Sequence, residues 1–251
     1  MSANAILTIA GLQKYFGGVR AIDGIDLHVD AGEVLGIIGP NGAGKTALIN
    51  TISGFYRATA GRIMFGGNDI TGLELHEIGR LGIARTFQNI RLFKRMTVLE
   101  NVMSADKTNA LRPLRAYFAL GRRGSDVERA MHFLSVMGLA DRADIGAATL
   151  PYGEARRLEI ARALAGAPSL LLLDEPAAGM NESETEQLVA DIRKARPLVK
   201  AIVMIEHDMS LIRALSDRII AMDYGRKIAE GTPAEVLSHP DVRRAYLGED
   251  E

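Results

Sequence analysis

Cysteine and tryptophan are absent from this chain of 251 residues. The lack of cysteine excludes disulfides and thiolate metal sites, and it is typical of proteins from a reducing compartment. Long apolar runs are also missing, since none approaches the ~20 residues that a helix needs to span a bilayer. Residues 1–5 lack the basic and apolar regions of a signal peptide. The composition therefore predicts a soluble, cytoplasmic protein.

An excess of charge of either sign is a further absence. The chain carries 30 Lys and Arg residues against 31 Asp and Glu residues. Because nucleic-acid-binding proteins are usually basic, this balance predicts that no nucleic acid is a partner. Whole-molecule charge says nothing more, so evidence for function has to come from local motifs.

The most specific motif is a complete G-x-x-x-x-G-K-[ST] phosphate-binding loop at residues 39–46. It follows the apolar run Val34–Ile38 and precedes the helix-compatible stretch Ala47–Asn50, as the motif requires. Backbone N–H groups of such a loop and of the following helix face polyphosphate oxygens. We therefore predict that the chain binds a nucleoside triphosphate, with Lys45 at the β- and γ-phosphates and Thr46 on Mg²⁺. The loop residues are Gly39, Pro40, Asn41, Gly42, Ala43, Gly44, Lys45 and Thr46.

Strand-like apolar runs alternate with helical patterns along the chain, which indicates an α/β fold with a mainly parallel sheet. These runs are Val34–Ile38, Leu170–Leu173, Ala201–Ile205 and Arg218–Met222. Three others, Ile6–Ala10, Ile25–Val29 and Arg62–Phe65, predict a smaller antiparallel sheet near the N-terminus. We expect one domain in which residues 1–88 and 166–251 form the nucleotide-binding core.

The middle of the chain, about residues 89–165, has helical signals and no convincing strand. Ser125 and Glu128 form a possible capping box, and Gly138 is a helix stop. Apolar residues follow at helical spacing, namely Val127, Ala130, Met131, Leu134 and Met137. This region is predicted to be a helical subdomain inserted into the core.

Two carboxylates follow the run Leu170–Leu173. Because ligands bind beyond the carboxyl ends of parallel strands, Asp174 is expected beside the phosphate loop, where it would hold Mg²⁺. Glu175 would then polarise the water that attacks the γ-phosphate. Taken alone, the pair would be an acidic helix N-cap after a buried strand. The phosphate loop favours the metal-and-base interpretation.

Two further polar residues are candidates for the same site. His207 follows the run Ala201–Ile205 and could hydrogen-bond the γ-phosphate and orient Glu175 with the water. By itself His207 would more often be structural, and Asp208 could merely cap the next helix. Gln88 marks the junction between the core and the helical region, where its amide could touch Mg²⁺ or the water; alone it would be unremarkable.

The order of these motifs resembles the nucleotide-binding subunit of ATP-binding-cassette (ABC) transporters along essentially the whole chain. Between Gln88 and Asp174 lies Leu150–Glu154, at the place of that family's L-S-G-G-Q signature. The resemblance implies an ATPase in which two subunits close head to tail around two ATP molecules. The signature residues Leu150, Pro151, Tyr152, Gly153 and Glu154 would then meet the partner's ATP. It also implies that Phe16, otherwise a core candidate, stacks on adenine.

Finer details look like the ATPases of branched-chain amino acid uptake, in particular the larger of two related subunits. The details are Arg85–Phe93, the signature Tyr, Glu175–Gly179, the ending Ala245–Gly248, and an extended helical region at Asp106–Gly124 with Arg112, Arg115, Arg122 and Arg123. This resemblance implies transmembrane permease subunits, an external solute-binding protein acting indirectly, and a peripheral place on the inner face of the cell membrane. The ATPase of lipopolysaccharide export and a soluble ABC ATPase of DNA repair or translation are the alternatives.

Three residues depart from the family pattern. Pro151 replaces the signature Ser and lacks a backbone N–H, while Glu154 replaces Gln and adds negative charge near a polyphosphate. Ala47 removes a hydroxyl that often follows the phosphate-loop Thr. Each loss would weaken nucleotide affinity by about 1 kcal/mol, the net contribution of one hydrogen bond. We therefore expect a weaker ATP-dependent dimer than in family members with the full signature.

Overall fold

The computed structural model describes residues 4–105 and 124–247. The predicted extension with its arginines at 112, 115, 122 and 123, and the end of the chain at 248–251, lie outside these residues. The described strands form two sheets. They are β1 Ala5–Phe16, β2 Val19–Asp30, β3 Val34–Ile38, β4 Ala60–Phe65, β5 Asn68–Asp69, β6 Ile83–Arg85, β7 Leu170–Asp174, β8 Ala201–Ile205, β9 Arg218–Asp223 and β10 Arg226–Gly231.

The larger sheet has the order β10-β9-β3-β8-β7-β6. Five of these strands run parallel, and β10 pairs antiparallel with β9 at one edge. Every residue of β3, β7 and β8 is buried. Such strands read as continuous apolar runs because both faces of the sheet are covered. The mainly parallel sheet predicted from those runs is confirmed.

The two faces of this sheet contribute to two separate cores. Leu35 and Ile37 of β3 pack with the antiparallel sheet and α1, which spans Lys45–Ile52. Val34 and Ile38 point to the other face, into the core that the middle helices share. The alternation follows from the two-residue period of a strand. Strand β3, which leads into the phosphate loop, is therefore packed against both cores.

The smaller sheet has the order β2-β1-β4-β5 and is antiparallel. It confirms the prediction from the three N-terminal runs. Strands β1 and β2 have 12 residues each and are longer than the predicted segments. They are longer because they form one hairpin, which is paired from Phe16 and Val19 at its turn to Ala5 and Asp30 at its open end. The register shifts at several points between these pairs.

Helices fill both sides of the parallel sheet and the middle of the chain. They are α1 Lys45–Ile52, α2 Leu75–Leu81, α3 Val98–Met103, α4 Gly124–Val136, α5 Tyr152–Ala165, α6 Glu182–Ala195, α7 Met209–Leu215, α8 Pro233–Ser238 and α9 Pro240–Leu247. Helices α3, α4 and α5 pack on one another around a shared apolar core. In the part of the chain that the structure describes, no helix is long and apolar enough to cross a membrane.

The predicted capping box is wrong, because Ser125 lies within α4 and is not the residue before the helix. The next residue, Asp126, accepts a hydrogen bond from Arg129 at 2.6 Å. The predicted stop is present, since Gly138 adopts a φ of 63° two residues after the helix ends at Val136. Leu134 and its helically spaced neighbours face the core, as expected.

Candidate nucleotide site

Four loops that carry candidate residues meet at the carboxyl edge of the parallel sheet. The sheet order places β3, β8, β7 and β6 side by side. The phosphate loop follows β3, His207 follows β8, Glu175 follows β7, and Gln88 follows β6. Ligands of open α/β sheets bind in the crevice outside this edge. The sheet topology thus brings together residues that are far apart in the sequence.

The phosphate loop is held by close backbone approaches that only glycine permits. A Cβ atom at Gly44 would lie 2.2 Å from the Ala21 carbonyl oxygen, and Gly44 has a φ of 100°. A Cβ at Gly39 would lie 2.3 Å from the Met222 carbonyl oxygen. Any side chain at either position would displace the loop from β2 or β9. Gly39 and Gly44 are therefore structural requirements of the cradle.

Lys45 is the buried cation of the loop. Its ammonium group donates to the carbonyl oxygens of Gly39 at 2.6 Å and Pro40 at 3.0 Å. Burial lowers the pKa of Lys45, while the carboxylates of Glu175 and Asp174 act in the opposite direction. A desolvated ammonium beside the loop is an electrostatic partner for phosphate oxygens. The position fits the predicted contact with the β- and γ-phosphates.

Asp174 is buried and is paired with an arginine that the sequence analysis missed. Its Oδ2 accepts from Nη2 of Arg85 at 2.7 Å. Nη1 of Arg85 donates to Asn50 Oδ1 at 2.5 Å and to Ser53 Oγ at 3.1 Å. Arg85 thereby ties the end of β7 to the end of α1. The only sequence signal was an arginine in the short strand just before Gln88.

Glu175 and Gln88 are in direct contact. Gln88 Nε2 donates to Glu175 Oε2 at 2.8 Å. Glu175 has a φ of 48°, which is uncommon for a residue other than glycine and costs free energy. Its backbone N–H donates to the Ile205 carbonyl oxygen at 2.9 Å. The turn directs the chain out of β7 immediately after Asp174, so the two adjacent carboxylates have different surroundings.

His207 stands at the same edge with a largely exposed side chain, 61% of which is accessible. Its backbone N–H donates to Glu206 Oε2 at 3.1 Å. Glu206 itself is fully buried, and its Oε1 accepts from the Ala177 N–H at 2.7 Å. Burial raises the pKa of Glu206, while the N–H groups of Ala177, Asp208 and His207 lower it. This carboxylate, which the sequence analysis missed, joins the loop after Glu175 to His207.

Phe16 lies at the end of β1 and is not a core residue, since 43% of it is exposed. Its ring meets that of Tyr56 edge to face, with centroids 5.0 Å apart. The Lys14 ammonium lies 4.7 Å from the Phe16 ring centroid. An exposed aromatic platform fits the predicted stacking on adenine better than the core alternative. Tyr56 is a second aromatic of this platform that the sequence analysis did not single out.

The signature segment, Leu150–Glu154, enters α5. Pro151 is the residue before the helix and is exposed. Gly153 is buried against α6, and a Cβ there would lie 2.7 Å from Glu184 Oε1, so a larger residue would require the Glu184 side chain to move. The ring of Tyr152 lies 3.3 Å from where a Cβ of Gly179 would be. The segment therefore packs against the loop after Glu175.

Glu154 does not present an unpaired charge. Its Oε1 lies 3.4 Å from Nη2 of Arg142, and only 17% of the Glu154 side chain is exposed. The negative charge expected at this position is therefore offset by a neighbouring cation. The compensating cation is 12 positions upstream in a segment that shows no motif, which is why the sequence did not reveal it.

Tyr246 is a further unpredicted contact of the phosphate loop. The hydroxyl oxygen of this residue, on α9, accepts from the Gly39 backbone N–H at 2.7 Å. Burial raises the pKa of Tyr246, and the bond from Gly39 lowers it. The hydroxyl remains protonated at neutral pH. A residue near the end of the chain thus fixes the first residue of the loop.

A phosphate loop at the end of a central parallel strand, with an acidic pair after a nearby strand, defines a P-loop nucleoside triphosphatase. The family profile described as "ABC transporter" matches residues 22–178, more than half of the chain. The chain belongs to this family and is an ATPase. A second profile, "Branched-chain amino acid ATP-binding cassette transporter", matches residues 226–251.

Curated relatives match over nearly their whole length. The chain is 45% identical to the high-affinity branched-chain amino acid transport ATP-binding protein BraF of Pseudomonas aeruginosa, over 97% of this chain and 98% of BraF. It is 42% identical to the corresponding protein LivG of Escherichia coli, over 97% and 98%. Both identities are high enough to expect the same fold and the same arrangement of motifs.

Solved structures agree with the fold. The ADP conformation of MJ1267, an ATP-binding cassette of an ABC transporter, superposes with a TM-score of 0.86 at 35% identity, covering 98% of this chain and 99% of that one. A dimeric post-hydrolysis cassette, MJ0796 bound to ADP and phosphate, gives 0.76 at 26% identity, covering 90% and 98%. The expected nucleotide-binding fold is confirmed.

Proposed function

We propose that this chain is the ATP-hydrolysing subunit of a membrane importer for branched-chain or other hydrophobic amino acids. The observation that carries the proposal is the near-full-length similarity to BraF and LivG, whose names state such transport. The match of residues 226–251 to a branched-chain profile supports it. The chain would act at the cytoplasmic face of the membrane, bound to permease subunits, with a solute-binding protein contacting those permeases outside.

The residues at the sheet edge would share the work of hydrolysis. Lys45 neutralises charge on the β- and γ-phosphates, and the backbone N–H groups of the loop hold their oxygens. Glu175 accepts the proton of the attacking water, and His207 hydrogen-bonds the γ-phosphate. Gln88 holds the Glu175 carboxylate at 2.8 Å. Phe16 offers its exposed face to the adenine ring.

Magnesium fits the donor set at this edge. A hydroxyl from Thr46, a carboxylate from Asp174 and an amide oxygen from Gln88 are hard oxygen ligands, which Mg²⁺ takes together with substrate phosphates and water. When bound, the ion would neutralise charge on the phosphates. Arg85 occupies Asp174 Oδ2, so this carboxylate is already oriented before the ion arrives.

The signature segment would complete the ATP site of a second ABC subunit, either another copy or a related paralogue. Pro151 is exposed at the start of α5, as a surface for the partner's nucleotide requires. The first turn of the helix leaves the N–H groups of Gly153 and Glu154 without an intrahelical acceptor, whereas that of Ala155 donates to the Pro151 carbonyl oxygen. The dimeric state named for the MJ0796 cassette supports this arrangement. In such a pair each nucleotide would lie between the phosphate loop of one chain and the signature segment of the other.

A pair of variants tests the hydrolytic site. Glu175→Gln should lower kcat by about 10²–10⁴-fold, the usual contribution of a general base, while ATP still binds. Lys45→Ala should lose ATP binding itself, because a buried cation is removed from the phosphates. The matched control is Glu128→Gln, the same change at an exposed position of α4. Near-normal turnover by Glu175→Gln, measured as phosphate release, would overturn the assigned role.

Isolation of the partners tests the transport function. The tagged chain is purified from host membranes in mild detergent, and the copurifying proteins are identified by mass spectrometry. We expect transmembrane permeases, together with a binding protein that retains leucine, isoleucine or valine when purified. Isolation with ribosomes, DNA or a lipopolysaccharide-export assembly would instead favour one of the alternative classes and contradict the proposal.

A further inference from the structure

Arg156 is a fully buried arginine in the first turns of α5 that neither the motifs nor the proposed chemistry uses. Its Nη1 donates to the carbonyl oxygen of Phe87 and its Nη2 to that of Gln88, both at 2.5 Å. The same two nitrogens also donate to Glu159 and to the Tyr152 hydroxyl, which makes four hydrogen bonds in all. A lysine ammonium has only three donors on a single nitrogen and cannot make all four. The backbone on both sides of the Gln88 peptide is thereby fixed to the signature helix.

Glu159 completes this attachment from the next turn of α5. It is 2% exposed, and its Oε2 accepts from Arg156 Nη1 at 3.0 Å. Its Oε1 accepts from the backbone N–H of Arg91 at 3.3 Å. Removing one member of a buried ion pair leaves an uncompensated charge and is strongly destabilising. The Gln88 loop, residues 86–91, is thus held to α5 through contacts at both of its ends.

The same guanidinium reaches the signature segment. Arg156 Nη2 donates to the Tyr152 hydroxyl at 3.2 Å, and the Tyr152 ring covers Gly179. On the other side of the arginine, the Gln88 side chain donates to Glu175 Oε2 at 2.8 Å. An unbroken series of contacts therefore runs from the signature segment through Arg156 and Gln88 to the expected catalytic base.

We propose that Arg156 is a positioning residue that sets Gln88, and through it Glu175, according to what the signature segment binds. The inference rests on the proposed function, because the ligand of the signature segment is the ATP of a second subunit. Within one chain, the signature segment meets the partner's ATP, and the Gln88 loop contacts the catalytic base Glu175. The two then move together. The two ATP sites of the dimer are coupled through this arginine.

Spatial continuity alone does not demonstrate coupling, so the test measures the coupling directly. Tyr152→Phe removes only the hydroxyl that Arg156 contacts and leaves the ring on Gly179. In the complex purified through a tag on this chain, we expect this variant to lower kcat about fivefold, the equivalent of one hydrogen bond. The melting temperature should fall by no more than about 2–4 °C, which the loss of one hydrogen bond corresponds to at this chain length. In a Gln88→Ala background, Tyr152→Phe should have no further effect.

Arginine variants supply the second arm and its matched control. Arg156→Lys keeps the charge but has too few donors for the four hydrogen bonds of Arg156, and it should lower kcat at least as much as Tyr152→Phe. Arg157→Lys is the same change one residue further along; Arg157 contacts the Met137 carbonyl oxygen and Asp191, away from the Gln88 loop. It should leave kcat near the wild-type value.

The outcomes separate this inference from the proposed function. Independent, multiplicative effects of Tyr152→Phe and Gln88→Ala on kcat would overturn the inference while the importer function stands. An unchanged kcat in Tyr152→Phe would do the same. Failure of ATP to bring two cassettes together in the Glu175→Gln background, judged by cross-linking, would overturn the proposed dimer and this inference with it.

Discussion

Tyr246→Phe removes a single oxygen atom at the far end of the chain and is expected to weaken nucleotide binding. The lost contact is the 2.7 Å bond from the Gly39 N–H to the Tyr246 hydroxyl. The aromatic ring remains to pack against α9 and its surroundings, so the change leaves no cavity. The perturbation acts on the first residue of the phosphate loop and on no other predicted nucleotide contact.

The magnitude follows from the surroundings of the bond. A neutral hydrogen bond contributes about 1 kcal/mol net, whereas a buried and unsatisfied N–H costs about 1–3 kcal/mol. Tyr246 is 38% exposed, and a groove of about 660 Å³ lies between α9 and the loop, so water can replace the lost acceptor. The lower figure therefore applies. Because bound phosphates order the loop again, we expect the ATP Kd to rise about two- to fivefold.

Equilibrium binding of a fluorescent ATP analogue to the purified chain measures this change. Thermal unfolding without nucleotide should show a melting temperature lower by about 2–4 °C, which 1 kcal/mol corresponds to at this chain length. Tyr224→Phe is the matched control, because Tyr224 borders the same groove but is 86% exposed. If Tyr246→Phe matches this control in both Kd and melting temperature, the tether is not energetically significant and the reasoning is wrong.

Two further predictions concern Glu206 and Pro151. Burial raises the pKa of Glu206, so the folded chain binds the proton of this carboxyl group more tightly than the unfolded chain. The protonated group therefore stabilises the fold at low pH. This stabilisation is lost as pH rises from the unfolded pKa of about 4.3 through the raised folded pKa. Urea unfolding between pH 4 and 7.5 should therefore show wild-type stability falling relative to Glu206→Gln, and parallel pH profiles would contradict the cause given for the shift. Pro151→Ser restores a hydroxyl and an N–H at the exposed start of α5, so it should strengthen ATP-induced association of Glu175→Gln chains about fivefold or more. Unchanged association in analytical ultracentrifugation would show that Pro151 does not weaken the dimer.

The parallel strands could be predicted from sequence because burial on both faces leaves a local record. Strand β8 has the predicted bounds, and β7 extends one residue further, through Asp174. The motifs add that the candidate residues share the carboxyl edge of the sheet, because ligands bind there. The order of the strands is known only from the structure. The phosphate loop, Gly39 to Thr46, could also be predicted, because its residues are consecutive and their spacing is specific.

The residues that contact the predicted site residues could not be predicted from the sequence. They are far from them along the chain, and such contacts leave no periodic pattern. Arg85 pairs with Asp174 across 89 positions, and Arg156 reaches Gln88 across 68. Glu206 follows a predicted strand in the sequence, but nothing there indicates that it is buried. Its burial and its hydrogen bond from the Ala177 N–H depend on the tertiary structure. The same limit explains Glu154, whose charge could be judged only once Arg142 was placed beside it.

The distances along the chain also set the order in which the site can form during synthesis. Strand β3 and the phosphate loop are translated early, but the two strands that flank β3 lie at 201–205 and 218–223. The acceptor of the Gly39 N–H follows 207 residues later, which is roughly 10–40 s of translation at 5–20 residues per second. During that interval the nascent chain carries the whole motif without the sheet that shapes it. A ribosome that stalls before β8 therefore releases a fragment that a motif search would score as complete and that has no assembled ATP site.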